Sequence, residues 1–304
     1  MDKKEQPKFG FVAVVGPPNA GKSTLVNYMI GHKVAITSRK PQTTRHRILG
    51  IKTTKAAQIV FVDTPGIHDA GKNKLNKVIN KAAISSLEDV DAVLFMIDDR
   101  GWNAETQLAL DAIGIPKAPV FLLINKIDKL KDKDQLLPLI ADSQTRFNFA
   151  HIIPLSVKRK QNIGDLEAKL IDLLPNDGLG YGFPEDQITD KSQRFLAAEL
   201  VREQIFRQLG QELPYSTAVE LNSFEFKDDD HILVTDMTIW VDRQGQKGIL
   251  VGKNGERLKE IGMRARKQMQ LLFGKRTHVS LWVKVRKGWA DNAALLKSLG
   301  YSED

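Results

Sequence analysis

The chain has 304 residues, a mass of 34.0 kDa and a formal net charge of +8, from 45 Lys and Arg against 37 Asp and Glu. Its 42 % apolar and 27 % charged residues are typical of a folded globular protein, and its length predicts two domains. The absence of cysteine excludes a disulfide scaffold, a zinc ribbon and a cysteine nucleophile. No stretch reaches the roughly 20 apolar residues that span a bilayer, and the first residues lack a signal peptide's apolar run, so we expect a cytoplasmic protein.

Apolar runs and helical patterns alternate from residue 8 to about residue 175. This alternation predicts an α/β domain with a mostly parallel, doubly wound sheet over 8–175. Prolines and glycines then predict a linker over 176–190. The predicted strands are Phe11–Val15, Gln58–Val62, Ala92–Ile97, Val120–Ile124 and Ile152–Leu155, and the predicted helices are Ser23–Ile30, Asn73–Ser86, Asn103–Ala112 and Ile163–Leu174.

Residues 191–304 follow a different order, which contains too few strand–helix–strand units for a second nucleotide fold. We predict a separate, smaller α+β domain there. Its predicted elements are a helix around Lys191–Leu209, strands Ser216–Glu225 and Ile232–Asp242, two helical stretches on either side of Gly252–Gly255, a strand Thr277–Val285 and a short helix near Asp291–Leu299.

A phosphate-binding loop is predicted directly between the first strand and the first helix. Its sequence, Gly16-Pro17-Pro18-Asn19-Ala20-Gly21-Lys22-Ser23, matches G-x-x-x-x-G-K-[ST], and Thr24 follows as a further binding residue. The glycines let backbone amides approach a phosphate closely. In this motif the Lys22 side chain bridges the β- and γ-phosphates, and the Ser23 hydroxyl holds Mg²⁺.

Two further motifs lie at the ends of predicted strands, and together with the loop they select GTP. Asp63-Thr64-Pro65-Gly66 offers a carboxylate that reaches Mg²⁺ through water and an amide that senses the γ-phosphate. In Asn125-Lys126-Ile127-Asp128 the final carboxylate accepts two hydrogen bonds from guanine, the Lys covers the base, and the Asn ties loops together. Ser156-Val157 supplies a backbone amide for guanine O6, although Ser156 could simply cap the next segment.

These residues resemble the nucleotide-binding domain of P-loop GTPases across 9–175. The resemblance implies a switch threonine on Mg²⁺; Thr44 is preferred and Thr43 stays an alternative, so the predicted catalytic set is Lys22, Thr44, Asp63 and Gly66. The water-orienting Gln of Ras-like enzymes is missing, and His68 is either a replacement or a solvated switch residue. In similar GTPases an Asn at the position of Asn19 helps to bind K⁺; the alternative is that Asn19 tolerates a turn.

The charge of the second part of the chain is strongly polarised. Residues 181–242 carry a net −8, whereas residues 243–287 carry +11 around Gly252-Lys253-Asn254-Gly255. Such a G-x-x-G loop clamps single-stranded RNA in KH domains, and the element order is that of a type II KH fold. The alternatives are a solvated helix face and a basic helix on an anionic membrane. Arg257, Arg264 and Lys267 are further candidate RNA contacts, and Trp289 either stacks on a base or packs in the core.

The combination of these two modules resembles the Era family of GTPases over nearly the whole chain. That resemblance implies a bacterial ribosome-biogenesis factor, a monomer that uses GTP, GDP and Mg²⁺ and binds the single-stranded 3′ end of 16S ribosomal RNA in the small ribosomal subunit. It also implies a peripheral pool at the inner cell membrane. Two alternatives remain: a peripheral membrane GTPase without an RNA role, and an RNA chaperone with a structural nucleotide.

Overall fold

The computed structural model describes residues 6–66, 74–130, 132–176, 178, 180–210, 213–227, 229, 231–299 and 301. They fall into two compact units. The first unit comprises 6–35, 44–66 and the described residues of 79–190; the second comprises 36–43, 74–78 and the described residues from 191 onwards.

The first unit is built on a six-stranded sheet with the order β2-β3-β1-β4-β5-β6. All neighbouring strands are parallel except β2, which pairs antiparallel with β3. The central strands are continuous apolar runs, as expected where helices cover both faces of a sheet. The strands are β1 Lys8–Val15, β2 Ile48–Thr53, β3 Ala57–Asp63, β4 Ala92–Ile97, β5 Val120–Ile124 and β6 His151–Pro154.

Helices alternate with these strands, which confirms the predicted doubly wound architecture. The helix after β1 begins at Lys22, immediately beyond the glycine-rich loop. The helix after β4 begins where the Asn103 side chain accepts a hydrogen bond from the amide of Thr106, an N-cap that satisfies a free donor. The helices are α1 Lys22–Ile30, α2 Lys74–Ser85, α3 Ala104–Ile113, α4 Leu136–Arg146 and α5 Ile163–Leu173.

The predicted linker packs against the first unit instead of hanging free. The amide of Ile51 donates to the carbonyl of Ile188 (2.9 Å), and the amide of Leu49 donates to Asp190 Oδ1 (2.9 Å). The side chain of Gln58, in β3, forms hydrogen bonds with both the amide and the carbonyl of Phe183 (2.8 and 2.9 Å). The described part of 176–190 therefore extends the first unit along its β2 edge.

The second unit has the predicted α+β order. A three-stranded sheet, β7-β8-β9, has β7 antiparallel and β9 parallel to β8, and α6 and α8 pack on one of its faces. None of the helices among the described residues is long and apolar enough to cross a membrane. The elements are α6 Gln193–Gln208, β7 Thr217–Lys227, β8 Ile232–Val241, α7 Gln244–Val251, α8 Glu256–Phe273, β9 Arg276–Val285 and α9 Ala293–Ser298.

Trp289 belongs to the folded interior of the second unit, so the hypothesis that it stacks on an RNA base is wrong. Its side chain is 1 % exposed, and its indole Nε1–H donates to the carbonyl of Ser216 at 3.0 Å. A ring with almost no free surface cannot stack on a ligand. The alternative interpretation, core packing, is what the structure shows.

Replacement of Trp289 by Ala should destabilise the second unit by about 3–5 kcal/mol, because it leaves a large cavity and removes the hydrogen bond to the carbonyl of Ser216. Urea unfolding followed by circular dichroism measures the loss of stability, which lowers the urea concentration at the midpoint of the second unit's transition. Trp282→Ala is the matched control: Trp282 is 58 % exposed, and we expect a loss of about 1 kcal/mol or less. A stable Trp289→Ala variant with weakened RNA binding would contradict the assignment.

Candidate functional site

The candidate residues of the first unit meet because four parallel strands end at the same edge of the sheet. Strands β1, β3, β4 and β5 run side by side in parallel. The glycine-rich loop follows β1, Asp63 ends β3, Asp98 follows β4 and Asn125 follows β5. Ligands of open α/β sheets bind in this crevice beyond the carboxyl ends of the strands.

The glycine-rich loop is shaped to surround an anion. Gly16 has φ 139°, and a Cβ placed there would lie 2.2 Å from the carbonyl oxygen of Met96, so the loop requires glycine at this position. The buried ammonium of Lys22 donates to the carbonyls of Gly16 (3.0 Å) and Pro17 (2.9 Å). Burial lowers the pKa of Lys22 to about 8, against the opposing attraction of Asp63. Phosphate oxygens would give this ammonium stronger, charged acceptors.

A set of oxygen ligands lies beside the loop. Asp63 is fully buried, and within the part of the chain that the structure describes neither of its carboxylate oxygens has a hydrogen-bond partner at normal distance. Burial raises the pKa of Asp63 to about 6, although the nearby Ser23 hydroxyl, Lys22 ammonium and Thr44 hydroxyl act in the opposite direction. The hydroxyls of Ser23 and Thr44 lie 2.8 Å apart. One orphaned carboxylate and two hydroxyls are hard donors, and they fit Mg²⁺.

The two candidate switch threonines differ in their surroundings. The hydroxyl of Thr43 donates to the carbonyl of Lys40 (2.7 Å) and lies 2.6 Å from the hydroxyl of Ser38. The hydroxyl of Thr44 instead lies beside Ser23. This arrangement favours Thr44 over Thr43 as the metal ligand.

The base-recognition end of the site is held together by Asn125. Its Nδ2 donates to the carbonyl of Ala20 (2.8 Å), and its Oδ1 accepts the amide of Val157 (3.2 Å). The side chain therefore ties the phosphate loop to the Ser156-Val157 segment, as the sequence predicted. The Val157 amide, predicted to face guanine O6, donates to Asn125 in this structure.

Lys126 is oriented by a residue that the sequence analysis missed. Its Nζ donates to Asp98 Oδ2 (2.9 Å) and to the carbonyl of Asn19 (2.6 Å). Burial alone would raise the pKa of Asp98, but hydrogen bonds from Arg100 and Lys126 outweigh it and hold that pKa below its ordinary value. An acidic residue directly after a buried strand was the available signal.

Asp128 is oriented in the same manner by Ser156, whose hydroxyl donates to Asp128 Oδ1 at 2.5 Å. This hydrogen bond is the main cause that lowers the pKa of Asp128, so the carboxylate stays ionised and can accept hydrogen bonds from guanine N1–H and N2–H. Ser156 thus positions the specificity residue. It also caps the next segment, because its hydroxyl accepts the amide of Arg159 (3.1 Å).

The remaining predicted residues of this site lie around the same loop. Gly66 is buried close to Pro18 and Lys22, and the hydroxyl of Thr64 donates to the carbonyl of Val14 (2.9 Å). Thr24 is exposed at the start of α1. His68 lies outside the described residues.

The second unit carries a groove of about 470 Å³ between α8 and β9. Gly252, with φ 74°, begins the G-x-x-G loop at one end of α8, and a Cβ there would lie 2.9 Å from Arg257 Cβ. Lys253 and Asn254 are exposed at the tip of this loop. The groove is lined by Gly255, Leu258, Lys259, Gly262, Met263, Arg266, His278, Val279, Ser280 and Leu281.

The predicted basic contacts on α8 are not the ones that line the groove. Arg257 donates to the carbonyl of Ile249 (2.6 Å), Arg264 pairs with Glu260 (2.6 Å), and Lys267 is exposed but is not part of the lining. Lys259 and Arg266 line it instead. Helical periodicity from Gly255 could have identified them, because residues three, four, seven and eleven positions later share one side of a helix.

The 36–43 segment, which belongs to the second unit, is attached to α6. The amide of Thr37 donates to Glu203 Oε1 (3.1 Å), and Arg207 Nε donates to the carbonyl of Thr37 (3.2 Å). Arg202, buried and paired with Glu199 (2.6 Å), donates to the carbonyl of Thr43. This segment therefore has a defined conformation directly before Thr44.

Comparison with known proteins gives matches over both units. A family model described as 50S ribosome-binding GTPase matches residues 11–126, and a KH domain model matches residues 212–290. GTPase Era of Haemophilus influenzae strain PittGG is 48 % identical over 295 residues, 97 % of each chain. GTPase Era of Pseudomonas fluorescens strain Pf-5 is 50 % identical over 294 residues, again 97 % of each chain.

Two solved structures are similar along nearly the whole chain. Era in complex with MgGDPNP and nucleotides 1506–1542 of 16S ribosomal RNA superposes with a TM-score of 0.92 at 40 % identity, over 97 % of this chain and 99 % of that one. A variant of Aquifex aeolicus Era bound to GDP and AlF₄⁻ has a TM-score of 0.91 at 41 % identity, with the same coverage.

Replacement of Asp63 by Asn should stabilise the nucleotide-free protein at neutral pH while weakening Mg²⁺-dependent GTP binding. The folded-state pKa of about 6 lies above the unfolded value of 3.8, so the stability that protonation contributes is complete below about pH 4 and is lost as the pH rises through 6. At pH 7.5 the variant should gain on the order of 2 kcal/mol over the wild type, a gap that narrows towards pH 5.

Urea unfolding in EDTA across this pH range measures the gap, and GTP titration with and without Mg²⁺ measures the binding loss. A stability difference that does not change with pH would contradict the assignment of a destabilised carboxylate to Asp63.

Proposed function

The chain belongs to the Era family of GTPases, and from that membership we propose that it binds the 3′ end of 16S ribosomal RNA and assists assembly of the small ribosomal subunit. It is a GTPase that converts GTP to GDP and phosphate with Mg²⁺. One observation carries the RNA part of the proposal: a groove beside an exposed G-x-x-G loop lies in the +11 segment of a chain that also holds a guanine-nucleotide site.

In this proposal the residues of the first unit hold and polarise the nucleotide. The loop amides and Lys22 bind the β- and γ-phosphates, Ser23 and Thr44 ligate the metal directly, and Asp63 does so through water. Mg²⁺, when bound, neutralises charge that develops on the transferred phosphoryl group. Asn125, Lys126 and Asp128 recognise guanine. We expect slow intrinsic hydrolysis, because the motif Asp-Thr-Pro-Gly is not followed by a water-orienting Gln.

The 36–43 segment supports a switch role. Its carbonyls and amide are bound by α6 of the second unit, while the next residue, Thr44, shares a hydrogen bond with Ser23 of the phosphate loop. On metal binding the Thr44 hydroxyl would exchange its hydrogen bond with Ser23 for a bond to the metal. Any such change would be passed through the backbone to the adjoining 36–43 segment. A purely structural nucleotide would not require this arrangement, so we favour the switch over the RNA chaperone with a structural nucleotide.

The geometry of α8 favours RNA over a membrane as the partner of the basic segment. Ile261, Ala265 and Met269 on its apolar side are buried in the core of the second unit. A helix inserts into the membrane interface through an exposed apolar face, and this one is already covered. We propose a cytoplasmic protein with a peripheral membrane pool that electrostatic contacts hold.

Charge reversal at Lys253 tests RNA binding at the G-x-x-G loop. Lys253→Glu should weaken binding to an RNA of the 16S 3′ end by about tenfold and reduce the salt slope by about 1, because one phosphate contact is lost. The matched control is Lys297→Glu, which makes the same charge change at an exposed position on α9. If both variants lose the same RNA affinity, the loss reflects the overall charge of the protein and not a contact at the loop. A loss of GTP affinity in Lys253→Glu would contradict the domain assignment.

We also propose that Asn19 helps to bind K⁺ next to the phosphates. Asn19 has φ 63° and an exposed side chain, while its backbone carbonyl accepts Lys126. Single-turnover hydrolysis should be about tenfold faster or more in K⁺ than in Na⁺ at equal concentration, because a fixed cation neutralises transition-state charge.

Asn19→Gly is the discriminating variant, since glycine keeps the left-handed turn and removes only the amide. It should lose the K⁺ preference and retain GTP affinity. If it keeps the preference, or if the wild type hydrolyses GTP equally fast in both salts, the side chain serves the turn alone.

A further inference from the structure

The sheet of the second unit has an open face, of which the groove uses only the end of β9 at His278 and Ser280. Along β8 and β9, Met237, Ile239 and Val283 are buried against the helices. Because successive side chains of a strand alternate between its two faces, Trp240 and Trp282 lie on the opposite face. Trp282 is 58 % exposed, which is unusual for the largest apolar side chain.

Both indoles on this face are held in place by carboxylates of neighbouring strands. Trp282 Nε1–H donates to Asp236 Oδ2, and Trp240 Nε1–H donates to Glu220 Oε2, both at 2.7 Å. Each hydrogen bond uses the edge of the ring. An aromatic ring fixed by its edge loses little conformational entropy when a ligand stacks on it, so these rings are preorganised.

Cations accompany the rings. Lys284 Nζ lies 5.9 Å and Arg286 Cζ 6.0 Å from the centre of the Trp240 ring. Surfaces that bind single-stranded nucleic acid without strict sequence preference combine aromatic platforms with basic side chains that follow the backbone. On this face Trp282, Lys284 and Arg286 belong to the +11 segment, whereas Trp240 and the two carboxylates that hold the indoles belong to the acidic segment before it.

The open face is continuous with the groove along β9, the edge strand of the sheet. His278 and Ser280 line the groove. Alternate residues of a strand share one face, so the same row continues to Trp282 and then to Lys284. An extended strand of RNA that occupies the groove is thereby directed onto the exposed indole.

We propose that the RNA-binding surface extends beyond the groove, with a base of the single strand stacked on Trp282 and its phosphates contacted by Lys284 and Arg286. This inference rests on the proposed function, because it assumes that single-stranded RNA occupies the groove between α8 and β9. The G-x-x-G loop of KH domains clamps about four nucleotides, so the extension concerns the nucleotides that follow.

RNA length separates the two parts of the surface. Binding of a four-nucleotide and an eight-nucleotide RNA from the 16S 3′ end is measured with the full chain carrying Trp282→Ala. The variant should bind the longer RNA about tenfold more weakly and the shorter RNA as the wild type does. Trp282→Phe should retain most of the affinity but lose the fluorescence quenching by the longer RNA, and Lys284→Gln should lose affinity for that RNA only.

Leu271→Ala is the matched control, because Leu271 is 79 % exposed on α8 and does not line the groove. The proposal is overturned if Trp282→Ala binds the longer RNA as tightly as the wild type does. It is also overturned if this variant loses binding only to anionic phosphatidylglycerol vesicles, because the face would then be a membrane contact. A wild type that binds neither RNA contradicts the proposed function itself.

Discussion

The nucleotide site depends on holding a carboxylate and an ammonium where water is excluded. Asp63 and Lys22 are both buried. Burial raises the pKa of Asp63 and lowers the pKa of Lys22, so it favours the neutral form of each side chain. A buried charge costs free energy unless it is paired, and the carboxylate oxygens lack hydrogen bonds within the described chain. The fold tolerates the cost at Asp63 because β3, the strand that ends at this residue, is itself completely buried. Mg²⁺ and phosphate would neutralise these two groups, and each would bind more tightly because water is excluded from the site.

The remaining site residues stabilise one another around that pair. Asn125 ties the phosphate loop to the Ser156-Val157 segment, Asp98 orients Lys126, and Ser156 orients Asp128. Each of these hydrogen bonds joins loops that follow different strands. The specificity end of the site is therefore preorganised in the protein alone, which reduces the ordering cost that nucleotide binding has to overcome.

Much of the fold follows from local pattern. The buried strands of the first unit and the element order of the second were predicted, with ends displaced by a few residues. Two elements were missed. Strand β2 lies at the sheet edge and contains Gly50, which weakens the strand pattern. Helix α4 contains Pro138 and has its large apolar residues only in its first five positions, so no apolar repeat extends along it. The predicted linker is bound to the β2 edge through hydrogen bonds that no local pattern encodes.

The sequence by itself determined the chemistry: a loop for phosphate, a carboxylate for the metal, a motif for guanine and a basic G-x-x-G segment. Each of these depends on residues that are consecutive in the chain, so spacing reveals it. Only the tertiary structure decided which side chains position them and which are accessible. The role of Asp98, the burial of Trp289 and the surroundings of the exposed Trp282 all depend on contacts between residues far apart in sequence. Burial is a property of packing, and two tryptophans seven positions apart therefore have opposite environments.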